Sequence, residues 1–181
     1  MKHLLVCALV LSFNMVFAAE KVQKTISFEF KNAEITEVIG VYSKLSGQRF
    51  VIDPGVRGRV TILSKSSTLE QAYSSLLMAL AVNGFSIADQ GDFVRIGAAR
   101  DIQKTESKVY LELPDISIER MITTVIYLKH MNAEEVNTRL RNLSSKFGDV
   151  STVKDKNALI VSDFTSNVYR IRNILSELDR K

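Results

Sequence analysis

Val51-Ile52-Asp53-Pro54-Gly55-Val56-Arg57-Gly58-Arg59-Val60-Thr61 is the run on which the fold of this chain turns. Two short β-branched strands, residues 49–52 and 59–63, flank a tight corner. Pro54 and Gly55 force a turn, and Arg57-Gly58 lets the next strand start close against its neighbour. On the amino-terminal side, Ile35, Val38, Ile39, Tyr42 and Leu45 fall on one stripe of a helix that stops at Gly47. Before that helix, Ile26, Phe28 and Phe30 alternate with Ser27, Glu29 and Lys31, the two-residue period of a half-buried strand. On the carboxy-terminal side, Thr68 can cap a helix with Gln71 reaching back. That helix carries Leu69, Ala72, Tyr73, Leu76, Leu77, Leu80 and Ala81 and closes at Asn83-Gly84. Residues 85–88 and 93–96 then read as a hairpin around Gln90-Gly91. The order is β-α-β-β-α-β-β.

A second unit follows. Residues 123–129 are β-branched and aromatic, and Asn132 can cap a helix with Glu135 three places on, carrying Val136, Leu140 and Leu143. Residues 148–153 and 158–162 read as strands joined by Lys154-Asp155-Lys156-Asn157, and Val168, Ile171, Leu175 and Leu178 make a final amphipathic helix. This β-α-β-β-α order repeats the core of the first unit. The fold class expected is α+β, two small tandem domains at residues 19–101 and 121–181. Residues 102–120, polar at 103–108 and broken at Pro114-Asp115, read as a linker, with a short strand around Val109, Leu111 and Leu113.

The amino terminus sets the compartment. A basic start, Met1-Lys2-His3, precedes an apolar run from residue 4 to 17, shorter than the roughly 20 residues that span a bilayer. Val16-Phe17-Ala18 supplies a cleavage site before Ala19, so residues 1–18 read as a signal peptide and the mature chain enters an export compartment. Cleavage removes Cys7 and His3, which leaves no thiol and a single imidazole, His130.

The 181 residues are 46% hydrophobic and 24% charged, a composition that folds. The net charge of +4 is thinly spread: residues 19–101 hold ten basic and nine acidic side chains, residues 102–181 thirteen and eleven. Neither half is a cationic arm, which argues against a nucleic-acid footprint. No nucleophile elbow, phosphate loop or dinucleotide glycine triplet is present. His130 has no Cys partner, and Glu34 with Glu37, like Glu134 with Glu135, fits the favourable start of a helix better than an acid pair. The expectation is a non-enzyme with no cofactor, no metal and no catalytic residue.

Gly55-Val56-Arg57-Gly58 also fits the Gly-x-x-Gly of a KH domain, and β-α-β-β-α is KH-like. In KH domains, however, that loop joins two helices, whereas here it joins two strands, so RNA binding is disfavoured.

The run Asp53, Pro54, Gly55, Val56, Arg57 and Gly58, with its flanking strands, closely resembles the first periplasmic N-domain of secretins. These are the outer-membrane channel proteins of type II secretion and type IV pili. Residues 124–136, continued by Asn157-Ala158-Leu159-Ile160-Val161, look like the second, KH-like N-domain. The resemblance implies a periplasmic component of a type II secretion or pilus-like machine, associated with the outer-membrane complex. It implies docking to an inner-membrane platform protein through the first domain and side-by-side ring packing through the second. Family secretins continue into a pore-forming barrel, whereas this sequence stops at Lys181. The expectation is therefore that a barrel-bearing secretin on a separate chain supplies the pore, or that this is an adaptor. The strand edges at Ile26, Phe28 and Phe30 and at Val60 and Ile62 are the expected partner-binding places. The first domain also resembles the signalling domain of some TonB-dependent receptors, which would bind an anti-sigma regulator, but those receptors lack a KH-like repeat.

Overall fold

The computed structural model describes residues 25–113 and 118–180. The expected signal peptide with Ala18 and Ala19, the Pro114-Asp115 breaker and Lys181 lie outside the described residues.

The first unit runs Phe30–Glu34 (β1), Ile35–Ser46 (α1), Phe50–Ile52 (β2), Arg59–Ile62 (β3), Leu69–Val82 (α2), Phe85–Asp89 (β4) and Val94–Ala98 (β5). β1 and β3 form an antiparallel pair, and a second sheet has the order β2-β5-β4, with β2 parallel to β5. The apolar stripes of α1 and α2 share one core with Val60 of the first sheet and Ile87 and Ile96 of the second. Burying Ile39, Leu76, Leu77 and Leu80 contributes about 1.5–3 kcal/mol each before entropy. The start of α2 is set by a reciprocal cap: Gln71 N donates to Thr68 Oγ1 (3.2 Å), and Thr68 N donates to Gln71 Oε1 (2.9 Å). Gly47, at φ +73°, ends α1 and donates its N–H to Ser43 O (2.9 Å).

The first strand lies further along than its alternation suggests. Ile26 makes only an isolated bridge to Ser67, and Phe28 is fully buried in the core. Regular pairing begins at Phe30 opposite Ile62 and continues through a bulge, with Asn32 at φ +51°, to Ala33 opposite Val60 and Glu34 opposite Arg59. Ile26, Phe28 and Phe30 do face the core, so the period was informative about burial. The extended backbone carries on into Lys31-Asn32-Ala33-Glu34, where no apolar alternation marks it.

The expected linker is structured. Ala99–Thr105 is a short helix (α3) with Ala99 and Ile102 fully buried, and Lys108–Tyr110 (β6) pairs in parallel with the strand that follows. A helix of seven residues offers too few apolar positions for a period to show. Both of its buried side chains fill a seam between the two units.

The second unit is Met121–Tyr127 (β7), Ala133–Leu140 (α4), Asp149–Val153 (β8), Ala158–Phe164 (β9) and Thr165–Leu178 (α5), with sheet order β6-β7-β9-β8. Asn132 Oδ1 accepts from Glu134 N (2.9 Å) and Glu135 N (3.3 Å), which caps α4. Asn157, at φ +46°, closes the turn between β8 and β9 and donates Nδ2 to Leu128 O and Met131 O.

Candidate functional site

The turn at residues 53–58 is held from inside. Val56 N donates to Asp53 O (3.0 Å), closing a β-turn with Pro54 at its second position, and Val56 is buried in the core. The Asp53 carboxylate accepts from Arg95 Nε (3.0 Å) and Nη2 (2.6 Å) on β5. This bond, ahead of a smaller desolvation effect, holds the Arg95 guanidinium above its ordinary pKa. Arg95 also pairs with Glu106, the carboxy-terminal cap of α3, so one guanidinium ties the turn, the sheet and α3 together. Gly58 sits at φ +146°, its carbonyl accepts from Ile35 N (2.9 Å), and a Cβ there would stand 2.4 Å from Asn83 Oδ1. Only glycine fits. Pro54, Gly55 and Arg57 are exposed, and the loop joins β2 to β3. The six motif residues thus build a corner, with Arg57 free on its outside.

The two expected edges are brought together: Phe30 pairs with Ile62 of β3, while Ile26 bridges Ser67 and Phe28 N donates to Ser64 O just beyond β3, so the inner edge of each stretch is used. Val60 and Ile62 also line a groove of about 570 Å³ on the far side of β3, where its opposite wall is α2. The floor and rim include all residues from Arg59 to Ser64 in succession, together with Ser75, Met78, Ala79, Val82 and Asn83. Leu63, Met78 and Val82 are 76%, 51% and 77% exposed and stand on this one groove. Among the described residues, Arg59 is its only charged side chain, and it is tied to β1 through Glu34 Oε1 (2.8 Å) and Asn32 O (2.6 Å). An open strand edge beside exposed aliphatic side chains suits an extended segment of a protein partner. Met78 and Val82 were not foreseen. They lie four residues apart on α2, off the buried stripe, and an apolar pair on the outer face of a helix was the available signal.

Among the described residues no charged constellation resembles a reaction centre. His130 is exposed and donates only its backbone N–H, to Asp179 Oδ1 (2.8 Å). Glu34 pairs with Arg59 and Glu134 with Lys154. Among the described residues no group of three or more His, Cys, Asp or Glu side chains is placed to hold a metal, and no helix is long and apolar enough to cross a membrane.

Comparison with known proteins agrees with the geometry. Residues 28–96 match the family described as "GspD-like, N0 domain", and residues 123–181 match "Bacterial type II/III secretion system short domain". The secretin XcpQ of Pseudomonas aeruginosa is 33% identical over 156 residues, which cover 86% of this chain and 23% of that protein. The type IV pilus biogenesis and competence protein PilQ of Neisseria meningitidis is 28% identical over 169 residues, 86% of this chain and 22% of that protein. A solved Klebsiella pneumoniae type II secretion outer membrane complex, containing PulD, PulS and the PulC HR domain, superposes with a TM-score of 0.73 at 26% identity. That superposition covers 83% of this chain and 26% of the solved one. The chain spans about a quarter of the length of these curated relatives. The matched families are structural parts of secretion machines, and no enzymatic family is indicated. Through the domains at residues 28–96 and 123–181, the chain belongs to the secretin family.

Proposed function

We propose that the chain is a non-enzymatic periplasmic component of a type II secretion or pilus-like envelope machine, working by protein–protein docking. The observation that carries this reading is the groove between β3 and α2, where Leu63, Met78 and Val82 leave apolar surface beside an open strand edge. An inner-membrane platform protein adds an extended segment there, with backbone bonds to β3 and aliphatic side chains against α2. The second unit packs against a barrel-bearing secretin or against copies of itself in a ring. A signalling module resembling a TonB-dependent receptor domain leaves residues 123–181 without a role.

The test is capture of the platform protein by the tagged chain, compared with Leu63→Glu and Val82→Glu. Both side chains are exposed, so the variants keep the wild-type melting temperature while capture falls at least tenfold. Undiminished capture by folded variants removes the groove from the account.

A further inference from the structure

We propose that the seam between the two units is a latch that sets their mutual orientation before any partner arrives. Its core is a third buried cluster, separate from the two domain cores: Ala88 of β4, Ala99 and Ile102 of α3, Met121 of β7 and Phe164 of β9. Every one of these is nearly or fully buried, and they come from both sides of the seam. A buried hydrogen bond crosses with them, Met121 N donating to Ser86 Oγ (2.9 Å), and at the rim Arg100 Nη1 donates to Gly148 O (3.3 Å).

One contact across the seam depends on a glycine: Phe147 on Gly84. Gly84 has φ +82°, and a Cβ built there would stand 2.6 Å from Cζ of Phe147. The ring can therefore lie on bare backbone of the first unit only because residue 84 has no side chain. On its other side, Phe147 meets Phe164 edge-on, with ring centres 6.0 Å apart. α3 is fastened to the first unit at both ends, by Ala99 N donating to Gly84 O (2.9 Å) and by the ion pair of Glu106 with Arg95. The second unit docks on a part that is already fixed.

The sizes of the clusters say what kind of joint this is. Among the described residues, five buried side chains hold the seam, against fifteen in the first core and eleven in the second. The seam is thus the part that opens first, while both units stay folded. The arrangement it holds has a counterpart in an assembled state. A TM-score of 0.73 over 83% of this chain requires both units to superpose together on the Klebsiella complex. Orientation set in the free chain lowers the ordering cost of assembly. The latch rests on packing geometry and does not depend on which partner occupies the β3–α2 groove.

Distance measurement between two spin labels tests it. The labels go on exposed sites of the two units, Lys44→Cys on α1 and Asn173→Cys on α5, in the full chain with Cys7→Ser. The wild-type background gives one narrow distance distribution, and Phe147→Ala at least doubles its width. Hydrogen exchange of the β5 and β9 amides stays as in wild type, which shows that both units remain folded. Gly84→Ala attacks the same contact from the first unit, so broadening by both variants isolates the latch from damage to either domain. A wild-type distribution that is already broad overturns the proposal, as does one that neither variant widens.

Discussion

Gly58 and Arg57 are neighbours in the same turn, and the structure gives them opposite physical roles. Gly58 sits at φ +146° with Asn83 Oδ1 where a Cβ would go, whereas Arg57 is exposed. Gly58→Ala is expected to cost about 1–3 kcal/mol from the strained backbone and the displaced Asn83. Arg57→Ala should stay within about 0.5 kcal/mol of wild type. Urea unfolding of the two variants checks this, and equal losses would show that the motif is not held by its glycine. The resemblance of this run to secretins was legible because turn chemistry is local: Pro54, Gly55 and Gly58 each impose a backbone shape. The role of Asp53 was not legible, because Arg95, its partner, lies 42 residues away and on a different strand.

Elements with a long period and a cap were readable. α1, α2 and α5 lie where their stripes place them, and the Thr68 and Asn132 caps make the expected bonds. Even so, stripes overran: Leu45 and Leu178 continue the spacing but are about half exposed, because they project past the end of the packed surface. α3 escaped because seven residues cannot display a period, whereas the short strand expected around Val109 is present as β6, ending at Tyr110 before Leu111 and Leu113. The parallel pairing of β2 with β5 escaped because it depends on a tertiary register, Phe50 with Val94. One element contact carries a pH dependence. Asp179, just past α5, is pushed up by burial, but it accepts N–H bonds from Lys129 (2.6 Å), His130 (2.8 Å) and Met131 (2.8 Å), and the balance leaves it below the ordinary carboxylate value. A depressed folded pKa stabilises above the unfolded value, about 4, and the stabilisation is lost as pH falls through the folded pKa. Wild type should therefore melt above Asp179→Asn at pH 7, with the gap closing as pH falls below about 4. A gap that stays constant over that range would place the stabilisation elsewhere.

At the scale of the whole molecule, two secretin domains are joined by five packed side chains from four separate elements. No single stretch of sequence announces such a seam, since Ala88, Ala99, Ile102, Met121 and Phe164 each look like an ordinary apolar residue in its own element. The same holds for the docking groove, where the open edge of β3 was foreseeable but the facing Met78 and Val82 depend on how α2 lies beside it. Together with the proposed latch, the groove gives a body whose first unit would present an apolar docking surface at a set angle to its second. The most direct test of that account is a photo-cross-linking residue placed at position 82 in growing cells, with the same residue at position 173 as the comparison. The account predicts an adduct with an inner-membrane platform protein from position 82 and none with that protein from position 173. Adducts of that protein from position 173 alone, or from neither position, would contradict docking at the β3–α2 groove.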